Sequence, residues 1–356
     1  MRRRLASMLR SPAALLAGAL CGLVALSAPP AAAQSADAAQ AVGIQRSSFI
    51  APGDGGRIIA LTMVYPAAVA PGTGRPFAMP FFTGLDLTAD APLAPGGKRP
   101  LIVFSHGRGS NALVYAWFAE ALARHGYIVA AIDHYRANTY DSTIAYLANK
   151  IWQRPLDIRN TIDFVLAVPA WREAIDADRI GVAGHSQGGF TALWIGGARV
   201  NADRFLAFQQ GWKNNKLVPE HLRRELPLDP GPALDVADPR VKAVVAMAPG
   251  IVQAFGMDAT GLGHLAVPAY ITVGARDTQT PPEPNAVFAA RHARHAELAI
   301  LPGDVDHEIF VNECDEEGRD EFPEACIDAP GVDRHAIHQQ VARDVIRFFD
   351  ETLAGK

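Results

Sequence analysis

The stretch Arg179-Ile-Gly-Val-Ala-Gly184-His185-Ser186-Gln187-Gly188-Gly189-Phe190 constrains the fold more than any other part of this 356-residue chain. An apolar run leads into Gly-x-Ser-x-Gly, and a segment of helical composition follows from about Gln187. A serine held at a sharp strand-to-helix turn needs strained backbone angles, and such a turn leaves little room for side chains two residues to either side. Gly184 and Gly188 meet that demand, and Gly189 lets the helix pack close to the sheet. Ser186 would then project from the C-terminal edge of a parallel sheet, where open α/β sheets place their sites. The bland alternative for these residues is a tight turn with a capping serine.

The rest of the chain supplies the sheet. Apolar segments of strand length occur at 57–65 (ended by Pro66), 101–104, 127–132, 179–183, 241–247, 269–273 and 297–301. Helical spacing is found at 113–125, at 155–168 with Pro155 in its first turn, and at 334–353. Short apolar strands alternating with helices predict a mostly parallel sheet covered on both faces. Residues 67–99, rich in Gly and Pro, read as a long surface connection, and residues 199–239 as an insertion and candidate lid. No internal repeat interrupts the span 42–356, which is expected to form a single domain.

The first 33 residues do not belong to that domain. Arg2, Arg3, Arg4 and Arg10 precede an uncharged apolar run from Ala13 to Leu26, and small residues close the segment at Ala31-Ala-Ala33. This is the pattern of a secretory signal peptide, and the run is shorter than the roughly 20 residues of a membrane span. Residues 34–41 read as a flexible leader. The chain is therefore expected to be exported, periplasmic or secreted, with no stable membrane span after cleavage. Removing the four arginines leaves 29 basic against 37 acidic side chains, a net charge of −8 rather than −4. That balance argues against a nucleic-acid partner. Cleavage would also remove Cys21, leaving Cys314 and Cys326, which in an exported chain are expected to pair across a short acidic loop.

A serine nucleophile needs an oxyanion hole, a base and an acid. Phe104-Ser-His106-Gly107-Arg108-Gly-Ser110 directly follows a strand, so this Gly-rich loop can offer a backbone N–H. Arg108 and Gln187 are the expected donors, with His106 bonding within its loop. The chain order serine, acid, histidine points to Asp277 and His307, each just beyond an apolar strand. Asp304, Asp306 and Asp258 are rival acids; His292 and His295 read as surface residues of a helix. The His335-x-x-His338 pair lacks the glutamate and spacing of a zinc site, so neither metal nor cofactor is expected. Trp117, Tyr135, Tyr140, Trp152 and Trp212 are candidate pocket walls, although core packing is the commoner fate of such residues.

These pieces resemble the α/β-hydrolases. Met63-Val-Tyr-Pro66, Pro100-Leu-Ile-Val-Phe-Ser-His-Gly107, Gly126-Tyr-Ile-Val-Ala-Ala-Ile-Asp-His134, Arg154-Pro-Leu-Asp157, Gly181–Gly189 and Leu301-Pro-Gly303 with His307 are similar to bacterial dienelactone-hydrolase-like proteins and platelet-activating-factor acetylhydrolase-like esterases. The resemblance implies an α/β-hydrolase fold and cleavage of a small-molecule or lipid-like ester. Two departures limit it. Dienelactone hydrolases proper use a cysteine where this chain has Ser186. The animal acetylhydrolases carry their acid after the strand that follows the nucleophile helix, where this chain reads Ala246-Met-Ala-Pro249. A cutinase-like polyester hydrolase, a lipid acetyl-ester hydrolase and a non-catalytic binding protein are the alternatives.

Overall fold

The computed structural model describes residues 40–354 apart from 53–55, 71–72, 146–149, 215, 217–219 and 226–235. The expected signal peptide and residues 34–39 of the leader lie outside the described residues. Gln40 and Ala41 are already tied to the fold: Ala67 N–H donates to the Ala41 carbonyl at 2.8 Å, and the Gln40 amide donates to the Ala67 carbonyl at 2.9 Å.

Nine strands form one sheet: β1 (Val42–Ile50), β2 (Ile58–Pro66), β3 (Leu87–Ala89), β4 (Arg99–Ser105), β5 (Ile128–Asp133), β6 (Ile175–His185), β7 (Val241–Met247), β8 (Ala269–Gly274) and β9 (Ala296–Leu301). Their spatial order is β3-β1-β2-β5-β4-β6-β7-β8-β9. The hairpin of β1 and β2 is antiparallel, and β2 runs antiparallel to β5; from β5 to β9 every pairing is parallel. Parallel neighbours demand crossovers, and helices supply them. Helices Ala116–Arg124 and Arg334–Thr352 pack together on one side of the sheet, while Gln153–Ala167 and Gln187–Ile195 pack together on the other. Covered on both faces, β4, β5, β7 and β8 are almost entirely buried. Phe104, Phe190, Trp194, Phe348 and Phe349 fill the space between layers. Each such side chain contributes about 1.5–3 kcal/mol by leaving water.

Two elements depart from the sequence pattern. β1 escapes it because Arg46, Ser47 and Ser48 at its centre are exposed, which dilutes the apolar signal. The connection 67–99 holds β3, which pairs parallel to β1 through buried Leu87 and Ala89. Within 199–239 the described parts include helices Ala202–Asn214 and Glu220–Glu225; Phe205 is fully buried, and the Trp212 side chain lies outside the described residues.

The topology fixes where a site can form. The chain passes from β4 to β5 on one side and returns to β6 on the other, so a crevice opens at the C-terminal ends of β4 and β6. Ser105 at the end of β4 is in register with Gly184.

Candidate active site

Ser186 follows the last residue of β6 and precedes the helix Gln187–Ile195, with φ 56° and ψ −120°. This left-handed-side conformation is costly for a residue with a side chain. Three hydrogen bonds hold it: Ser186 N–H to the Met247 carbonyl at 2.8 Å, and Phe190 N–H and Gly250 N–H to the Ser186 carbonyl at 3.1 Å each. The turn also explains its glycines. A Cβ on Gly188 would lie 1.9 Å from the Ser105 carbonyl oxygen, and one on Gly184 would lie 2.3 Å from that of Gly188. Backbone cannot yield to such contacts, so no larger residue fits either position.

His307 and Asp277 reach the same edge of the sheet from the ends of β9 and β8. Their side chains are buried, and His307 Nδ1 donates to Asp277 Oδ2 at 2.7 Å. That bond leaves Nε2 as the acceptor. The Asp277 carboxylate is fixed by Thr280, whose N–H donates to Oδ1 at 2.6 Å and whose hydroxyl donates to Oδ2 at 2.9 Å. The rival acids have other partners. Asp306 accepts from the backbone N–H of His307 at 2.7 Å and of Thr278 at 3.0 Å, so it shapes the loop and never meets the imidazole. Asp304 is exposed and pairs with Arg276; Asp258 caps the short helix Ala259–Leu262. His292 ends the helix Phe288–His292, and His295 lies beyond it, where the chain turns extended into β9.

Ser186 and His307 line one cleft of about 340 Å³, together with Gly107, Arg108, Gln187 and Thr280. The N–H of Gln187 sits in the first turn of its helix, where backbone donors have no intrahelical acceptor and the helix dipole favours negative charge. Gly107 lies close beside the elbow: a Cβ on it would be 3.5 Å from Ser186 Cβ.

A donor chain beneath the cleft joins its two sides. Gly107 N–H donates to the Tyr115 oxygen at 3.4 Å, the Tyr115 hydroxyl donates to His185 Nδ1 at 3.0 Å, and His185 Nε2 donates to the His307 carbonyl at 3.2 Å. Burial pushes the His185 pKa well below the usual imidazole range, so the ring stays neutral as this chain requires.

A second arrangement of serine, histidine and aspartate lies under the loop 106–110. Ser105 Oγ is 2.8 Å from His134 Nε2, and His134 Nδ1 is 2.9 Å from Asp157 Oδ2. Here Arg154 donates to Ser105 Oγ at 3.2 Å and also to the His106 carbonyl, while Arg57 lies 3.2 Å from Asp157. His106 bonds within its loop, to the Gly107 carbonyl at 2.6 Å, and accepts from His134 N–H at 3.1 Å. Burial raises the Asp157 carboxyl to about 7, against the pull of Arg57 and Arg154. All three members are buried and Ser105 is completely so, which makes this a brace for the loop.

Comparison with solved structures bears on the fold. The chain superposes on a ferulic acid esterase from Streptomyces cinnamoneus with a TM-score of 0.61, at 22% identity, over 91% of this chain and 93% of that one. The chain has the α/β-hydrolase fold. A Pyrococcus horikoshii acylaminoacyl peptidase is more distant: TM-score 0.50, 14% identity, 88% of this chain and 42% of that one. The family model for platelet-activating factor acetylhydrolase, isoform II, matches residues 82–153 of this chain. The dog (Canis lupus familiaris) platelet-activating factor acetylhydrolase is 33% identical over 29% of this chain and 33% of its own length. Esterase YjfP of Escherichia coli (strain K12) is 35% identical over 27% of this chain and 39% of its own. The chain thus spans about a third of the length of these curated relatives.

The matched segment 82–153 contains the loop 106–110, Tyr115 and His134, and ends just before Arg154. Among the described residues no cluster of three or more His, Cys, Asp or Glu could hold a metal ion, and no helix is long and apolar enough to cross a membrane. Cys314 and Cys326 form a disulfide, which closes a loop holding two short helices, Glu316–Glu321 and Pro323–Cys326. Tyr115, Thr280 and the 105–134–157 brace are the site residues that sequence spacing does not reveal. Trp117 and Trp152 pack in the core.

Proposed function

We propose that this α/β-hydrolase cleaves carboxylic esters through a covalent acyl-enzyme on Ser186. The observation that carries the reading is the buried 2.7 Å contact of Asp277 with His307, in a cleft shared with a serine on a strained strand-to-helix elbow. Ser186 Oγ attacks the ester carbonyl and His307 Nε2 takes its proton. Asp277 keeps the imidazole in the required tautomer and stabilises the imidazolium. The N–H groups of Arg108 and Gln187 receive the charge that develops on the carbonyl oxygen, each such donor worth about 10²–10³ in rate. His307 then protonates the departing alcohol, and water releases the acid by the same steps in reverse. The printed names of the relatives, acetylhydrolase and esterase, support an ester as the substrate and an acetyl group as the first acyl group to try. The scheme draws on the chain's own groups alone, without metal or cofactor. Export is part of the same proposal, supported by the N-terminal sequence pattern and by a disulfide of the kind that persists in oxidising compartments.

Ser186→Ala is expected to abolish both p-nitrophenyl ester turnover and labelling by a fluorophosphonate probe. Asp277→Asn is expected to lose about 10⁴ in kcat. Turnover of the Ser186→Ala protein at the wild-type rate would overturn the mechanism.

A further inference from the structure

The cleft adjoins a second cavity that the proposed chemistry leaves unused. It has a volume of about 480 Å³ and shares Arg108, Ser110 and Glu308 with the cleft. Apart from the uncharged Asn111 and Thr139, its remaining side-chain walls are apolar, built chiefly by Phe81, Leu113, Val114, Tyr140, Val311 and Phe322. Phe81 and Phe322 meet edge to face at 5.2 Å. Tyr140 and Phe322 nevertheless keep 67% and 43% of their surface exposed. Grouped exposed apolar side chains mark a binding surface more often than an accident of packing.

The walls come from separated parts of the chain and are fastened together. Asp315 N–H donates to the Phe81 carbonyl at 3.0 Å, and Phe82 forms a β-bridge with Cys314. The disulfide joins Cys314 to Cys326, itself a wall residue. Asn312 holds the opposite wall: its N–H donates to the Val114 carbonyl at 2.9 Å and its side-chain amide to the Leu113 carbonyl at 2.8 Å.

We propose that this cavity is the subsite for an uncharged, ring-sized apolar arm of the ester whose carbonyl is seated at Ser186. The inference rests on the ester-hydrolase reading and adds the class of substrate to it. Continuity with the cleft places the arm next to the reacting bond. The apolar walls reject a charged arm, because beyond Arg108 and Glu308 at the shared mouth nothing there compensates a buried charge. A volume of this size lies within the range of small-molecule sites.

The test is steady-state kinetics by pH-stat on the full protein with three esters: ethyl acetate, ethyl 3-phenylpropanoate and 2-phenylethyl acetate. The last two carry the same ring on opposite sides of the ester bond. The wild type is expected to favour at least one ring-bearing ester over ethyl acetate in kcat/KM by about ten- to a hundredfold, the worth of filling an apolar pocket. Phe322→Ala and Tyr140→Ala, both at exposed positions, are each expected to cut that preference about tenfold through KM, and Phe322→Leu to retain most of it. A wild type without the preference, or variants that keep it intact, would overturn the subsite while leaving the esterase reading in place. Failure to turn over any of the three, with Ser186 refractory to a fluorophosphonate, would instead overturn the esterase reading and the subsite with it.

Discussion

The Tyr115 hydroxyl lies 3.0 Å from Nδ1 of His185, the residue before Ser186. Because the same oxygen accepts from Gly107 N–H and His185 donates on to the His307 carbonyl, one buried phenol couples the loop 106–110 to the loop that carries His307. Removing only that hydroxyl, in Tyr115→Phe, leaves a buried imidazole nitrogen without its donor, at about 1–3 kcal/mol. The expected result is a fall in kcat of about tenfold with KM little changed, and intact labelling of Ser186. A substitution that merely loosened the fold would lower thermal stability and leave the kcat of the folded fraction as it was; kinetics corrected for active-site titre separate the two.

Among the described residues Ser105 stands in hydrogen-bonded order with a histidine and an aspartate and Ser186 shares a cleft with such a pair, and access distinguishes the two serines. Ser105 is wholly buried and receives Arg154, whereas Ser186 opens into the cleft. A fluorophosphonate should therefore modify Ser186 alone, as peptide mapping by mass spectrometry would show. Ser105→Ala should still be labelled, with an unfolding free energy lower by about 1–3 kcal/mol for the buried partners left unsatisfied. Modification of Ser105 in the native protein would show that the brace opens to solvent.

What was legible in the sequence follows from how local each feature is. The elbow is local: glycines two residues either side of a serine answer to backbone contacts with Ser105 and with each other. The contact of Asp277 with His307 was legible as a pairing because each follows an apolar strand, but only the fold shows why Asp306, next to His307, bonds its backbone instead. Tyr115 sits in what reads as a plain amphipathic helix, and its partner His185 is 70 residues away. The Ser105, His134 and Asp157 brace likewise joins the ends of two neighbouring strands to a helix, over sequence separations of 29 and 23 residues. The apolar cavity draws its walls from several distant segments, so Tyr140 could be marked as a wall candidate on sequence alone, but only alongside Trp117 and Trp152, which belong to the core.

The disulfide closes a loop of 12 residues' separation. By loop-closure entropy its loss should destabilise the protein by about 3 kcal/mol. The loop carries Phe322, and its Cys314 end pairs with Phe82, so the effect should not be on stability alone. In the Cys314→Ser, Cys326→Ser double variant, chemical denaturation should report the lost stability. The same protein below its unfolding transition should show a raised KM for ring-bearing esters, because one wall of the cavity has lost its tether. Unchanged denaturation midpoints would show that the surrounding contacts hold the loop without the bond.

His338 gives the stability of the fold a defined pH dependence. Its ring stacks on Trp117 at 3.8 Å and donates through Nε2 to the Ile309 carbonyl at 2.7 Å. Burial lowers its pKa to about 3. The unfolded chain takes up this proton near pH 6.5 and the folded chain only near pH 3, so between those values the unfolded state binds more protons. Stability contributed by the neutral ring is therefore complete above about pH 6.5 and is lost as the pH falls, by up to about 1.4 kcal/mol per pH unit for this one group. His338→Gln keeps a side-chain N–H donor and cannot titrate. Denaturation curves between pH 4 and 7 should show a shallower acid limb in that variant by one proton's worth, with the slope that remains owed in part to His106, His134 and His185, whose burial also holds them neutral. Parallel pH profiles for the two proteins would mean that His338 already titrates freely in the folded state.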